Sequence, residues 1–374
     1  MEIVQVASLY PPHLGGAELV AQRLAAMQAD RHNVTVYTSN LGAAGAPRHE
    51  RRGRLAVYRD RGWPVGNTPV LPGLLSRLVR HRPTPDVLHV HAGCAVTPEI
   101  VRLAERLRGT PYVAHMHLMV QPSSRAGKVL LPLYQKGFFG RFLRGAARVI
   151  CLTGAMRDQV VAAFDVPPEQ IAVVPNGVDT DRFRPGPVGR RAARELLFVG
   201  RLTAQKNVLS AVEAMASLPD ATLRIVGDGE QRTEVERRIV TLGLSNVSVT
   251  GPATAADLVG YYQRATAVLL PSSHEGLPLV LLEAMAAGVP VVCSALPELA
   301  ETGGDAVVTV DRPDGPDLAA AVRTLLDDPG RRDRLSRAAR RRATAFAWPA
   351  VADAVDRVYA QLGLPDPNPT GAGR

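Results

Sequence analysis

Short runs of β-branched and aliphatic residues recur along the chain, separated by stretches whose apolar positions follow helical spacing. In the first half these runs predict strands at Ile3–Ala7, Val34–Thr38, Leu55–Arg59, Val87–Val90, Tyr112–His115, Arg148–Leu152 and Ile171–Val174, with helices at Ala17–Gln28, Thr97–Leu107 and Ala155–Phe164. A second series predicts strands at Leu196–Val199, Leu223–Val226, Val247–Thr250, Ala267–Leu270 and Val289–Cys293. Strands alternating with helices imply parallel sheets, because a parallel neighbour is reached only through a crossover long enough to hold a helix. Between the two series lie Pro175-Asn176-Gly177-Val178-Asp179 and Arg184-Pro185-Gly186-Pro187, whose Pro and Gly content reads as a linker. The expected fold class is α/β, with two tandem doubly wound, Rossmann-like domains at residues 1–178 and 179–345. Residues 346–374 add an amphipathic helix over Val351–Leu362 and a Pro/Gly-rich tail.

Composition narrows the compartment and the partners. With 46% hydrophobic and 21% charged residues over 374 positions, the chain has the balance of a globular protein and not of a disordered one. Cys94, Cys151 and Cys293 lie far apart, which excludes a disulfide framework and a Cys-rich zinc module and fits a reducing cytoplasm. Met1-Glu2-Ile3-Val4-Gln5-Val6 reads as a strand and not as the start of a signal peptide. The most apolar stretch, residues 276–293, is interrupted by Pro278, Glu283 and Pro290 and is not expected to span a membrane. The net charge of +9 is unevenly placed, for residues 1–185 carry 23 Lys and Arg against 13 Asp and Glu. That basic half suits weak contact with an anionic membrane surface or an acidic acceptor. Only Lys128, Lys136 and Lys206 are lysines among the 44 basic residues, so Lys206, alone in the second half, marks a position that resists a strong arginine bias.

Open α/β sheets bind ligands at the carboxyl ends of their strands, where loops and helix starts present unpaired amides. Three loops there carry chemistry. After Leu196–Val199 comes Gly200-Arg201-Leu202-Thr203-Ala204-Gln205-Lys206-Asn207, which sets a guanidinium fork and a point charge on one crevice and suits a pyrophosphate. After Ala267–Leu270 comes Pro271-Ser272-Ser273-His274-Glu275-Gly276-Leu277-Pro278, then a helix from Leu279 with Glu283 in its second turn. Glu275 and Glu283 frame a helix start, poised to accept bonds from vicinal hydroxyls while the amides of Leu279 and Val280 take a phosphate. After the first strand, Tyr10-Pro11-Pro12-His13-Leu14-Gly15-Gly16 lets the backbone approach a ligand at Gly15 and Gly16. Two His-x-His strands, His89/His91 and His115/His117, place four imidazoles at alternate positions and also admit a zinc reading. Asp179-Thr180-Asp181 has an Asp-x-Asp form but lies in the linker, where turn-forming roles are expected.

Taken together these loops resemble the retaining glycosyltransferases of family 4, over nearly the whole chain. The specific elements are Glu275-x7-Glu283, Gly200-Arg201-Leu202 with Lys206-Asn207, Val226-Gly227-Asp228-Gly229 and Pro175-Asn176-Gly177-Val178-Asp179. The resemblance implies a GT-B fold with an interdomain cleft, a final helix that crosses back to the first domain, and a nucleotide diphosphate sugar (UDP-, GDP- or dTDP-linked) as donor, with no cofactor and no metal. Arg201 and Lys206 would hold the diphosphate, Glu283 the ribose, Glu275 the transferred sugar and the amides at Gly15 and Gly16 the distal phosphate. Gly200, Gly227, Asp228, Gly276, Leu277, Leu279 and Val280 complete the expected donor site. His117 would sit beside the anomeric carbon, with His115 ranked behind it. His91, His115 and His13 are the expected acceptor contacts.

Front-side attack with retention is the implied mechanism, the leaving phosphate taking the acceptor proton. A small-molecule acceptor such as a natural product or metabolite is expected. The alternatives are a lipid acceptor at the inner membrane face, favoured by the basic aromatic stretch Lys136–Arg144, and a nucleotide-sugar epimerase on the same fold. Nucleic acid is not an expected partner, since arginines are unaccompanied by a recognition motif and aromatics are 5%.

Overall fold

The computed structural model describes residues 1–13, 15–65, 68–92, 96–119, 132, 134–187 and 194–363. The chain forms two compact units, Met1–Asn176 together with the segment from Trp348 onward, and Gly177–Ala347.

The first unit is built on β1 (Glu2–Val6), β2 (Asn33–Ser39), β3 (His49–Arg52), β4 (Leu55–Asp60), β7 (Val87–Ala92), β8 (Tyr112–Met116), β9 (Arg148–Cys151) and β10 (Ile171–Val173), with a two-stranded ribbon of β5 (Trp63–Val65) and β6 (Thr68–Val70) beside it. The sheet order is β10-β9-β8-β7-β1-β2-β4-β3, parallel throughout except for β3 against β4. The chain leaves β1 towards β2 and later returns to β1's other side as β7, so the topology switches between β1 and β7. Strands of a parallel sheet are covered on both faces and normally read as continuous apolar runs. Here one face is polar: Gln5 stands opposite His89 and His91 opposite His115. The helices Gly16–Ala29 and Trp348–Ala360 supply the polar partners for that face.

The second unit holds β11 (Glu195–Val199), β12 (Thr222–Val226), β13 (Val247–Val249), β14 (Ala267–Leu270), β15 (Val291–Ser294) and β16 (Val307–Val310). Its order, β13-β12-β11-β14-β15-β16, is all parallel and switches between β11 and β14. Leu196, Phe198, Leu223, Ile225, Leu269 and Val292 form its buried centre, capped by Val208, Val212, Leu318 and Val322 from two packed helices.

The Arg-rich segment forms the helix Pro329–Ala343, whose start is capped by Asp328 accepting from the Arg331 amide at 2.7 Å. Arg340 Nη1 donates to the carbonyls of Ala286, Thr180 and Phe183, and Ser336 Oγ donates to Gly288 O at 2.6 Å. The bonds to Ala286 and Gly288 satisfy carbonyls at and just past the end of the helix Leu279–Ala286, and those to Thr180 and Phe183 tie the segment before β11 to the same arginine. Asp179 accepts from the Arg182 amide at 3.0 Å and so forms a turn.

The sequence pattern omits β3, β5, β6 and β16. All four are short; β3 is also largely exposed and carries little of the apolar signal that marks a buried strand, whereas β16 reads Val-Val-Thr-Val, is mostly covered, and its signal was there to be read. Among the described residues no helix is long and apolar enough to cross a membrane.

Candidate functional site

In the second unit the loops after β11 and β14 flank the switch point. Glycine decides how closely the neighbouring loop approaches. Gly227 has φ +144°, and a Cβ there would lie 1.9 Å from Gly200 O; one on Gly229 would lie 2.5 Å from Leu202 O. Backbone therefore packs on backbone, and the bonds Gly200 N to Val226 O (3.0 Å), Leu202 N to Asp228 O (2.9 Å) and Gln231 N to Leu202 O (2.9 Å) hold the Arg201 loop rigid. The β14 loop is tied to the same platform: Ser273 N donates to Gln205 O at 2.8 Å and Gln205 Nε2 to His274 O at 3.0 Å. Across this seam Lys206 Nζ donates to Glu275 Oε1 at 2.6 Å, with Glu275 buried and Lys206 largely so. Arg201 is exposed at the mouth of the same loop.

Glu275, Gly276 and Leu277 are buried, and the helix Leu279–Ala286 begins without a side-chain cap, its first turn holding Leu279 and Val280. Glu283, one turn on, accepts from Tyr262 Oη at 2.8 Å. Burial pushes the Glu283 carboxyl up to about 7, a rise that the Tyr262 hydrogen bond and the Arg182 charge partly offset. Asp228 lies between Gly227 and Gly229. Its carboxylate turns back onto the Gly229 amide at 2.8 Å and stands 3.8 Å from Arg232, so it shapes the glycine turn while its side chain remains half-exposed.

In the first unit Gly15 caps the helix Gly16–Ala29, and a Cβ on it would lie 2.1 Å from Glu18 Oε2. A carboxylate thus already rests against the helix start that the sequence assigns to a phosphate, a favourable place for any anion. His13 stands 3.4 Å from Glu18, and its ring fills the space a Cβ on Gly42 would need.

The four histidines form one stack beneath the helices. His91 Nδ1 is 2.9 Å from His117 Nε2, and His89 Nε2 is 3.0 Å from His115 Nδ1, with centroid spacings of 4.5 Å for His115/His117 and 5.1 Å for His91/His117. The expectation that His91 and His115 face an acceptor is corrected. Alternation along β7 and β8 turns both onto the covered face, where they are 7% and 2% exposed. His117, just beyond β8, is half-buried as a residue, while its Nδ1 atom is itself buried and has no hydrogen-bond partner among the described residues. Burial lowers all four basicities, to about 4 for His117 and well below the ordinary range for the rest. Nitrogens of His89, His91 and His115 lie within 4.8 Å of one another, a wider spread than the ~3.4 Å between tetrahedral nitrogen ligands at 2.0–2.1 Å from one zinc ion.

Residues 14–182 match the family described as Glycosyltransferase Family 4, and residues 181–342 match Glycosyl transferases group 1. A glycogen synthase of Mycobacterium tuberculosis is 34% identical over 301 residues, covering 76% of this chain and 71% of the relative. A D-inositol 3-phosphate glycosyltransferase of Kineococcus radiotolerans is 32% identical over 325 residues, covering 77% and 74%. The chain belongs to the family 4 (group 1) glycosyltransferases. Its fold is that of the GT-B enzymes: the Anabaena protein HepE, solved in complex with UDP-glucose, superposes with a TM-score of 0.78 at 20% identity, covering 96% of this chain and all of the other.

This glycosyltransferase moves a sugar from a nucleotide sugar. Sequence reasoning brought Lys206, Glu275 and Arg201 to one platform, and Glu283 to the helix beside it. It missed Tyr262, the partner of Glu283, and also Gln5, Gln28, Asp356 and Tyr359 behind the histidines. One signal was available for Gln5: an amide inside the apolar run Ile3-Val4-Gln5-Val6 is costly unless something buried answers it.

Proposed function

We propose that this enzyme transfers a hexosyl group from a UDP-sugar to a small polar acceptor, with retention at the anomeric carbon and without a divalent metal. The observation that carries the reading is the Lys206–Glu275 pair beside Arg201 at the β11/β14 switch point. Arg201 and Lys206 hold the diphosphate and stabilise it as it leaves, Glu275 binds the transferred sugar, and Glu283 accepts from the ribose hydroxyls. The amides of Gly15 and Gly16, and those of Leu279 and Val280, supply further phosphate contacts, while Gly200, Gly227 and Asp228 shape the platform.

In the reaction the bond from the anomeric carbon to the diphosphate oxygen breaks as the acceptor oxygen attacks from the same face. The acceptor proton passes to the departing phosphate oxygen. Each preorganised contact to that oxygen contributes ~2.7–4 kcal/mol to lowering the barrier. His117 orients the sugar and stabilises the charge that develops on it. UDP is favoured as the nucleotide by the HepE complex, and a small phosphorylated polyol as acceptor by the inositol-phosphate relatives.

The test is incubation with UDP-glucose, GDP-glucose and dTDP-glucose against polyol phosphates, with EDTA present, and proton NMR of the product. An α-linked product from UDP-glucose supports the reading; a β-linked product, or turnover that EDTA abolishes, contradicts it.

A second reading, a lipid acceptor at a membrane surface, is favoured by one patch. Leu103, Leu107 and Phe138 are 44%, 59% and 58% exposed, and Arg102 and Arg106 line a cleft together with Leu103 and Phe138. Basic residues around exposed apolar ones suit an interfacial site. Co-sedimentation with anionic vesicles that is lost at high salt would favour it over the soluble acceptor.

A further inference from the structure

Behind His117 lies a continuous buried chain of side chains, all in the first unit. Asp356 Oδ1 accepts from Gln28 Nε2 at 3.1 Å, Gln28 Oε1 accepts from Gln5 Nε2 at 2.9 Å, Gln5 Oε1 is 3.2 Å from His91 Nε2, and His91 Nδ1 is 2.9 Å from His117 Nε2. Gln5 and Gln28 are fully buried, and Asp356 is 6% exposed and ion-paired to Arg31 at 2.9 Å.

The chemistry of one end sets the direction of the whole chain. A carboxylate only accepts, so Gln28 must turn its amino group to Asp356 and its oxygen to Gln5. Gln5 must then turn its amino group to Gln28 and its oxygen to His91. That oxygen requires a proton on His91 Nε2. A neutral imidazole carries one N–H, so His91 Nδ1 is a lone pair and His117 Nε2 must hold the proton that faces it. The lone pair of His117 is left on Nδ1, a buried nitrogen without a partner among the described residues. The depressed basicities of the buried stack fit the neutral state this needs.

We infer that Asp356, Gln28 and Gln5 are positioning residues for sugar transfer: their oriented hydrogen bonds, relayed by His91, lock His117 in the Nε2–H tautomer and leave the lone pair on its buried, unpartnered Nδ1 just beyond β8. The inference rests on the reading that His117 faces the transferred sugar, and it assigns the final helix, which carries Asp356, a part in the chemistry. A second branch starts from Gln28, which also hydrogen-bonds Tyr359, and runs from Tyr359 Oη to His89 Nδ1 at 2.7 Å and on to His115; because a hydroxyl can both donate and accept, this branch adapts to either direction of the first.

The chain can be inverted by one nearly isosteric change. In Asp356→Asn, Arg31 still donates to the Oδ2 side, so the amide oxygen takes that place and the amino group faces Gln28. Every member must then reverse, and the His117 proton moves to Nδ1. Adding Gln28→Glu puts an acceptor back at the next link and restores the original direction with the net charge unchanged.

The readout is the protonation pattern of His117 in two-dimensional NMR of the full-length protein labelled with 15N-histidine, assigned by loss of its signal in His117→Ala. Wild type should show Nε2–H, Asp356→Asn should show Nδ1–H, and the double variant should return to Nε2–H. Turnover of UDP-glucose should fall roughly 10- to 100-fold in Asp356→Asn with KM for donor within about twofold, and recover in the double variant. A wild-type Nδ1–H tautomer, or an unchanged tautomer in Asp356→Asn, overturns the proposal. So does a tautomer that flips without lowering kcat. If His117→Ala is then also fully active, it is the role of His117 that has failed, and the relay stands only as structure. Should Asp356→Asn not fold, the wild-type spectrum and the double variant still decide.

Discussion

Lys206 and Glu275 meet at 2.6 Å from loops that follow β11 and β14, the two strands between which the second sheet changes direction. Neither side chain is well solvated, so the pair serves two ends: each charge satisfies the other, and both are held where a diphosphate sugar would arrive. Removing one partner of a buried pair costs ~3–5 kcal/mol because the other charge is left unpaired. Lys206→Ala should therefore lower the melting temperature as well as kcat, the latter by about 10²–10³. In Lys206→Ala/Glu275→Gln the stability should return and the activity should not. Paired recovery of both would assign the lysine a purely structural role.

Gly227 tests the platform beneath that pair. A Cβ would meet Gly200 O at 1.9 Å on a backbone with φ +144°, so Gly227→Ala must force the two loops apart. Loss of UDP affinity is expected together with a lower unfolding midpoint in urea. Unchanged affinity would mean that the Arg201 loop does not depend on this contact.

Glu283 predicts a pH dependence with a definite sign. Its proton leaves near 4.5 in the unfolded chain and near 7 when folded, so between those values the folded state binds more protons. Stability from this group is full below 4.5 and falls as pH rises through 7, by at most about 3 kcal/mol. UDP affinity should run the other way, strengthening as the carboxylate forms and can accept ribose hydroxyls. Titration calorimetry from pH 6 to 8 on wild type and Glu283→Gln checks this: the variant should bind weakly with a flattened profile. An equal slope in the variant would place the titrating group elsewhere.

His117→Ala should reduce kcat with UDP-glucose by more than it raises the donor KM, as expected for a group that acts in the transition state. Initial-rate kinetics decide it. A change confined to KM would make His117 an ordinary donor contact.

The fold and the meeting of Lys206 with Glu275 were legible because their residues announce themselves. Strands buried on both faces give uninterrupted apolar runs, a lysine alone in the second half stands out among arginines, and two carboxylates eight positions apart frame a helix start. What the sequence hid depends on which way side chains face. Nothing in His89-Val90-His91 or His115-Met116-His117 tells an imidazole aimed at a ligand from one turned under two helices, and His91 and His115 are of the second kind. Gln28 and Asp356 lie on helices more than 300 residues apart, and only the packing of the first helix against the last reveals that they meet.

The central claim is that the β11/β14 platform is the site of the nucleoside diphosphate. Titration calorimetry of UDP into wild type and Arg201→Ala, with EDTA present, tests it most directly, since Arg201 is exposed and its loss should leave the fold intact. Saturable binding by wild type, weakened at least ~10-fold in the variant, is the predicted result; each ~1.4 kcal/mol of lost contact is worth a factor of ten. Equal affinity in both proteins, or binding that EDTA removes, would contradict the account.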